Sequence, residues 1–320
     1  MITEFVPGSH YTLTAFPDYW RGKPGFDSLR IEITQDITTQ KLQLDSGAFD
    51  TVTKGFPVPD VLAYQKNSQF TVTNSVGGVG DGLLLNPNSG IFANKALRQA
   101  LRTALDRVSI VDTAWGGLAK AQSALWSEGS LPLALDPFPT TVETAPLKAM
   151  VAGLPSKKVD MAVITDGGAA RNQMGELVQT QLAALGLDVT VRAMPPSEQF
   201  DLVNQPSDKR PDMMLSFVGG DAFHLDTTFR IMFRTGAAPL NYYQYSNPEL
   251  DKLMDEAVRK PTVDEMNAVY QQMSQLIFDE GILIPMCLPP TSAIAHTNVT
   301  GYEVNSFFPQ VVDMRSAKRT

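Results

Sequence analysis

The chain has a single cysteine among its 320 residues, so no disulfide can form within it. That residue, Cys287, lies in the apolar run GILIPMCLPP, where we expect a buried and unreactive thiol. Apolar runs are short, and Ile282 to Leu288 falls far below the ~20 residues that a membrane-spanning helix needs. The opening MITEFVPGSH has no basic stretch, no apolar stretch and no cysteine for a lipid. We therefore predict no membrane span, and no export signal in the chain as it stands.

Positive charge is also scarce. The 26 lysines and arginines are outnumbered by 34 aspartates and glutamates, which gives a formal charge of −8. Such a balance argues against nucleic acid as a partner, because binding to the phosphate backbone needs clustered positive charge. With 43% hydrophobic and 19% charged residues, the chain can bury a substantial core and is long enough for about two domains.

Motifs for catalysis and metal binding are few. The three histidines, His10, His224 and His296, lie far apart, and no G-x-S-x-G elbow occurs. The chain has no H-E-x-x-H and no C-x-x-C motif, so a zinc site has no support. The glycine-rich GGVGDG lacks the spacing of a nucleotide-binding loop and is read as a turn. We therefore predict no metal, no cofactor and no enzyme.

The pattern of apolar residues predicts an α/β fold. KKVDMAVIT, AARNQMGELVQTQLAALG and LDVTVRAM follow one another as strand, helix and strand, which indicates a βαβ unit with a parallel pair. A further strand at 212–218 favours a parallel or mixed sheet. Capping signals at Asp36 and Asn94 predict helix starts, and the pairs Ser246 with Glu249 and Thr262 with Glu265 predict capping boxes.

The turn after the first strand of the βαβ unit is a candidate anion site. The predicted strand ends at Thr165, glycines stand at positions 167 and 168, and a helix begins near Ala169 with Arg171 in its first turn. Free amide groups, the helix dipole and a guanidinium together suit a ligand carboxylate. Alternatively, Arg171 only points to water. The turn has no P-loop lysine, which argues against chemistry on phosphates.

A second candidate follows the strand at 212–218, where GGDAFHLDTTF contains Asp221, His224 and Asp226. Loops at strand ends are common ligand sites in open α/β sheets. Asp226 is the preferred anchor for an ammonium group, with Asp221 capping the next helix or supporting Asp226. Two alternatives stay open: both acids only cap that helix, or His224 works with Asp221 or Asp226 as an acid and base pair.

Several stretches together resemble one family. FPDYWRGKPGFD, LDSGAFD, the paired helices of NKALRQALRTALDRVSIVDTAW, YSNPELDKLMDEA and FDEGILIPMCLPPTSAIA occur in its order and spacing. The chain is identified as a member of the extracellular solute-binding proteins of the dipeptide, oligopeptide and nickel type (family 5), which deliver ligands to ABC importers. The likeness extends over nearly the whole chain.

The resemblance implies a periplasmic-binding-protein-like fold of type II. Its two lobes contain mixed sheets and enclose a small zwitterionic or peptide-like ligand in a cleft between them. It places a partial lobe I at 1–88, lobe II at 89–288 and a segment returning to lobe I at 289–320. It also implies a periplasmic or extracellular location, and the membrane subunits of an ABC importer as partners.

In such proteins an aspartate in a W-x-x-D-x-x-D-P-D-N-F region pairs with the peptide amine. The corresponding position here is best met by Asp226, with Phe217 in place of the tryptophan and Leu225 and Thr227 in place of Pro and Asn. Those departures put peptide specificity in doubt. The family also implies ligand contacts for the residues Asp221, Arg171, His224, Phe217, Asn241 and Tyr242.

A long N-terminal segment that members normally have before V-P-G-x-x-x-T-L is not in this sequence. The first lobe is then incomplete, and we expect it to expose apolar surface that a partner chain or self-association could cover. A scaffold or sensor that keeps the fold without binding solute is the alternative function. For the binding hypothesis, a 226 carboxylate paired with a neighbouring arginine would count against Asp226 as anchor.

Overall fold

The structure is a computed structural model, and it describes residues 1–53, 55–127, 137–219, 224–305 and 312–320. The chain divides into two compact units. Unit 1 comprises Met1–Gly77 and Pro290–Thr320, and unit 2 comprises Gly78–Pro289. The chain therefore leaves unit 1 once and returns to it once, as the family resemblance implies for the two lobes.

The described residues form helices of 6 to 18 residues and mostly short strands. The helices are α1 Ile37–Asp45, α2 Val58–Gln65, α3 Lys95–Ala104, α4 Arg107–Trp115, α5 Ala145–Ala152, α6 Gly168–Ala184, α7 Pro196–Asp201, α8 Leu225–Met232, α9 Pro248–Ala257 and α10 Val263–Glu280. The strands are β1 Ile2–Val6, β2 His10–Thr14, β3 Ser28–Glu32, β4 Thr51–Val52, β5 Phe70–Val76, β6 Gly80–Leu85, β7 Lys158–Ile164, β8 Asp188–Met194, β9 Met213–Val218, β10 Leu283–Cys287, β11 Pro290–His296, β12 Val299–Thr300, β13 Glu303–Val304, β14 Val312–Asp313 and β15 Lys318–Arg319.

A five-stranded mixed sheet in the order β10-β6-β9-β7-β8 forms the centre of unit 2. Strand β7 pairs in parallel with both β8 and β9, whereas β6 pairs antiparallel with β9 and β10. The predicted βαβ unit is confirmed as β7-α6-β8. The predicted strand at 212–218 is confirmed as β9, and it makes the sheet mixed.

Helix α6 packs closely on β7 because Gly175 has no side chain at the contact. A Cβ atom there would lie 2.5 Å from Cγ2 of Val163, closer than two carbon atoms can approach. The buried apolar residues of β7, including Met161 and Ile164, complete this layer of the core. The close approach fixes α6 beside the end of β7.

Unit 1 is built from small antiparallel sheets. Strands β1, β2 and β3 form one sheet, and β11 lies between β4 and β5 in a second. Strands β2 and β3 pair directly with each other, in the antiparallel direction. Strand β1 carries no clear alternation of buried and exposed residues, since all five of its residues are exposed.

The units differ from the predicted boundaries at one strand. The sequence analysis places residues up to 88 in the first lobe, but β6 belongs to unit 2 because it pairs with β9 and β10. An apolar strand between two neighbours is buried on both sides, and every residue of β6 is buried. The return segment begins at Pro290 in place of the expected residue 289.

The structure shows which residue caps each of the helices with a predicted cap. Asp36 accepts a hydrogen bond from N–H of Thr39, and Asn94 accepts from Ala96 and Leu97, so both predicted caps are confirmed. The predicted cap at Thr262 is confirmed as well: its hydroxyl oxygen accepts from the backbone N–H of Glu265, and the hydroxyl donates to the Glu265 carboxylate. The predicted cap at Ser246 is wrong: the following residue, Asn247, caps α9, and Ser246 shares a hydrogen bond with Thr235.

Exposed large apolar side chains are concentrated in unit 1, where the sequence analysis predicts them. Among the described residues they are Met1, Ile2, Phe5, Val6, Phe16, Trp20, Ile33, Ile37, Leu42 and Val76. Unit 2, with about twice the length, contributes Val108, Val142, Phe200, Val258 and Val263. The prediction that a partner chain covers this surface stays a prediction.

Candidate functional site

One edge of the unit 2 sheet collects several strand ends, and we call it the carboxyl edge. Strands β7, β8, β9 and β10 all end there, and β6, which runs the other way, begins there. Side chains that follow these strand ends are therefore neighbours in space although they are distant in sequence. Such edges are where open α/β sheets bind ligands.

Three charged residues meet at this edge and form what we call the Arg171 cluster: Arg171, Asp81 and Asp166. Nε and Nη2 of Arg171 donate to Oδ1 of Asp81 at 2.9 and 2.6 Å. Nη1 donates to the carbonyl oxygen of Ile164 at 3.2 Å and to Oδ1 of Asp166. One guanidinium thus binds two carboxylates, and the cluster carries an excess of one negative charge when both are ionised.

The two carboxylates differ sharply in exposure. The side chain of Asp81 is 1% exposed and that of Asp166 is 44% exposed. Burial raises the pKa of Asp81, while the adjacent guanidinium of Arg171 opposes that rise. Among the described residues, Oδ2 of Asp81 has no hydrogen-bond partner. Asp81 is therefore an internal counterion, whereas Asp166 can reach solvent.

Arg171 lies at the predicted turn, but its environment differs from both expectations. The sequence predicts a guanidinium that is open to a ligand carboxylate or points to water, but the side chain of Arg171 is only 6% exposed. Asp81, which is 90 residues away in sequence, occupies two of its nitrogen donors. A direct role for Arg171 in ligand binding stays a prediction, and it requires that Nη1 exchange its partner.

Cys287 lies opposite Asp81 in the pairing of β10 with β6. Its side chain is fully buried, as expected for the single cysteine. Burial, and next the charge of Asp81, raise the pKa of this thiol. A thiol that is both inaccessible and protonated at neutral pH is a poor nucleophile.

The second candidate lies at the start of α8. Asp221 is outside the described residues, so its predicted role is untested. The cap of α8 is His224: its Nδ1 accepts a hydrogen bond of 3.2 Å from the backbone N–H of Asp226. The expectation that Asp226 itself caps this helix is wrong. The N-cap position of α8 is held by His224, and Asp226 lies two residues later, inside the first turn.

The carboxylate of Asp226 is paired within its own helix. Its Oδ2 accepts from Nε of Arg230 at 2.7 Å, and Arg230 also donates to the carbonyl oxygen of Met254 at 2.6 Å. Burial, followed by the charge of Asp226, raises the pKa of the neighbouring Tyr270. This is the pairing that counts against Asp226 as an ammonium anchor. The anchor role stays a prediction that needs the ion pair to open.

Asn241, Tyr242 and Phe217 are placed differently from one another. Asn241 is buried and holds a turn, donating to the carbonyl oxygens of Arg234 and Tyr245 and accepting from N–H of Tyr245. Tyr242 is buried, and burial and then the charge of Asp166 raise its pKa. Phe217 is half-buried and pairs with Asp81 in the β9-β6 register.

The structure thus brings Phe217 and Arg171 to the carboxyl edge, and the Asp166 charge acts on Tyr242. Asn241 lies in a turn, and the backbone of that turn forms hydrogen bonds with its side-chain amide. Sequence reasoning missed Asp81 and Asp166. A signal was available for Asp166, which directly precedes the two glycines of the predicted turn. For Asp81, the only signal in the sequence is its position at the start of an otherwise apolar strand.

Among the described residues, no group of three or more His, Cys, Asp or Glu side chains could hold a metal ion. Within the same residues, no helix combines the length and the apolarity that a bilayer span requires.

Comparison with known proteins identifies the family. Residues 1–239 match the family described as bacterial extracellular solute-binding proteins, family 5 (middle region). The match covers most of the chain, and the chain therefore belongs to this family. The resemblance inferred from the sequence motifs is confirmed.

Individual relatives are similar to this chain in sequence or in fold, and all three are longer than it. "Probable di/tripeptide-binding protein 5" of Pseudomonas aeruginosa is 24% identical over 95% of this chain and 58% of its own length. The substrate-binding protein CtaP of Listeria monocytogenes superposes with a TM-score of 0.85 at 20% identity, over 99% of this chain and 65% of that one. NikA of Brucella suis, solved with Fe(III)-EDTA, gives 0.85 at 19%, over 100% and 67%.

These likenesses confirm the predicted periplasmic-binding-protein-like α/β fold. They also show that the chain spans about 58% of the length of the curated relatives it matches. The family is described as extracellular, and its members are binding proteins.

Proposed function

We propose that this chain supplies the solute-contacting unit of an ABC importer's solute-binding protein, and that it binds a small zwitterionic or peptide-like solute at the carboxyl edge of unit 2. We further propose that the protein acts in the periplasm or outside the cell and hands its solute to the membrane subunits of the importer. The observation that carries this proposal is the Arg171 cluster, which puts unlike charges at the strand ends of a family 5 fold.

The charges at this edge and at the start of α8 suit a doubly charged solute. A carboxylate in a partly dry site binds an ammonium through a charge-assisted hydrogen bond, which is the contact proposed for Asp226. The guanidinium of Arg171 offers paired donors that match a carboxylate. Relatives named as di/tripeptide-binding and oligopeptide-binding proteins support a peptide-like solute.

Asp226, Asp221 and His224 remain candidates for a second contact near the start of α8. Asp226 would have to leave Arg230, from which it now accepts a hydrogen bond of 2.7 Å. Exposed and half-exposed ion pairs are worth about 0–1 kcal/mol, so an ammonium group could replace Arg230 at modest cost. Phe217 would supply apolar contact beside the Arg171 cluster.

A thermal-shift screen across dipeptides, tripeptides, amino acids, opines and sugars tests the proposal. A solute that binds only the folded chain stabilises it by about 2.7 kcal/mol at a concentration of one hundred times Kd. We expect peptide-like or zwitterionic solutes to raise the unfolding temperature and neutral sugars to leave it unchanged. The absence of any stabilising solute at millimolar concentration would contradict the proposal.

A scaffold or sensor that no longer binds solute is the second candidate. The observation in its favour is that Arg171 and Asp226 already have partners inside the chain. These internal ion pairs neutralise the charges that a solute would otherwise neutralise. A protein that keeps the fold without binding solute could therefore have the same arrangement. The screen separates the two candidates.

A recruited enzyme has less support. His224 does not present a free base to Asp226, because its Nδ1 accepts from the Asp226 backbone and the Asp226 carboxylate is bound to Arg230. General acid and base catalysis needs the titrating side chains within reach of the reacting atoms. Solute turnover that disappears in His224→Ala would favour this third function.

A further inference from the structure

We infer that Asp166 is an internal competitor for the solute: in this structure its carboxylate occupies the donor of Arg171 that the carboxylate of a bound solute would take. The inference rests on the proposed function and adds a selectivity device to the same site. It assigns to Asp166 control over how strongly the protein favours solutes with a free carboxylate.

The division of the Arg171 donors carries the first step. Two nitrogens, Nε and Nη2, are directed at one oxygen of Asp81, and the third, Nη1, is directed at Asp166 and the Ile164 carbonyl. Arg171 can therefore release one partner and still keep an ionic bond. Nη1 is the donor that faces the exposed member of the cluster.

The difference in burial decides which carboxylate can leave. Asp81 is 1% exposed, so separating it from Arg171 would strand a charge in the interior at high cost. Asp166 is 44% exposed, and water can solvate its carboxylate once it has turned away. The exchange thus replaces one carboxylate on Nη1 with another and leaves the buried pair intact.

The backbone around Asp166 allows such a movement. Asp166 lies in a short 3-10 turn, Thr165–Gly167, between the end of β7 and the start of α6. Gly168 follows with φ of +70°, and a Cβ built there meets no atom within 4 Å. Glycine adopts a wide range of backbone angles, and no atom lies close to this one. Gly168 therefore lets the turn change conformation without displacing β7 or α6.

A selectivity rule follows. A solute with a free carboxylate must displace Asp166, so removing the Asp166 charge should strengthen its binding. A solute whose carboxyl group is amidated cannot use Nη1 as an ionic partner and should gain nothing. Because a half-exposed ion pair contributes at most about 1 kcal/mol, the expected gain is roughly three- to fivefold in Kd.

The experiment compares dialanine with dialaninamide by isothermal titration on the full chain and on Asp166→Asn. We expect Asp166→Asn to bind dialanine roughly three- to fivefold more tightly, with no gain for dialaninamide. Asp166→Glu retains a competing carboxylate and should keep the wild-type preference. Asp160→Asn, which removes the same charge from a 42% exposed aspartate near the start of β7, controls for the change in net charge.

The outcomes separate this inference from the proposed function. An affinity ratio between the two peptides that stays within about twofold of the wild-type ratio in Asp166→Asn overturns the inference, while wild-type peptide binding would still support the function. The same gain in Asp160→Asn would assign the effect to net charge and also overturn it. Failure of both proteins to bind either peptide overturns the inference, and the solute screen then decides the function.

Discussion

Arg171→Met should lower the free energy of unfolding by about 3–5 kcal/mol at neutral pH, because it leaves the Asp81 carboxylate buried without its cation. Asp81 is 1% exposed, and two nitrogens of Arg171 bind its Oδ1. Denaturant unfolding of the variant and the wild type, followed by circular dichroism, measures the difference.

Two variants control this experiment. Arg192→Met removes an arginine that also binds two carboxylates, Asp160 and Glu198, but at a half-exposed position, and should cost about 1 kcal/mol or less. Replacing both buried partners, as Asp81→Leu with Arg171→Met, should recover most of the loss, since a buried pair is often no better than apolar residues of similar size. Equal losses in Arg171→Met and Arg192→Met would contradict the buried-pair assignment.

The loss in Arg171→Met should also depend on pH. Burial already raises the pKa of Asp81, and removal of the opposing guanidinium leaves burial and the charge of Asp166, which both raise it. A carboxyl whose folded pKa is raised binds its proton more tightly in the folded state, so its stability contribution is present at low pH and is lost as pH rises. The variant should therefore lose stability relative to wild type above pH ~4, where the unfolded carboxyl ionises.

Phe229→Ala should reduce the free energy of unfolding by about 3–5 kcal/mol, because it empties the centre of an aromatic cluster. Phe229 is fully buried on α8, with its ring centroid 5.3 Å from Trp126 and 6.2 Å from Tyr270 of α10. The cluster holds α8, whose start carries His224 and Asp226, against α10. Denaturant unfolding measures the loss.

Phe200→Ala is the matched control, because Phe200 is also in unit 2 but is 40% exposed. Its change should stay within about 0.5 kcal/mol, as for most surface substitutions. Phe229→Leu keeps most of the buried volume and should cost less than Phe229→Ala. A loss below 1 kcal/mol in Phe229→Ala would show that the cluster does not hold α8 as described.

Local patterns predicted the elements well where a few neighbouring residues decide them. The caps at Asp36 and Asn94 and the β7-α6-β8 unit depend on hydrogen bonds and periodicity within short windows. The exception is the cap of α9, which is Asn247 and not the predicted Ser246. Two adjacent residues could both cap α9, and the turn from 234 to 246 selects between them by giving Ser246 another partner.

The site was less predictable because its partners come from distant parts of the chain. Arg171 was visible at a strand end, but its neutralisation by Asp81 depends on β6 being inserted between β9 and β10. No local pattern encodes that strand order. Likewise, Arg230 lies one helical turn after Asp226, a spacing that favours an ion pair and that could have been noticed in the sequence.

The central claim is that solute binds at the carboxyl edge of unit 2. Hydrogen exchange measured by mass spectrometry, with and without a saturating amount of the most stabilising solute from the screen, tests it most directly. We predict slower exchange in residues 164–172, which contain Asp166 and Arg171, and unchanged exchange in α9. Solute-dependent protection that spares 164–172 and appears elsewhere would contradict it.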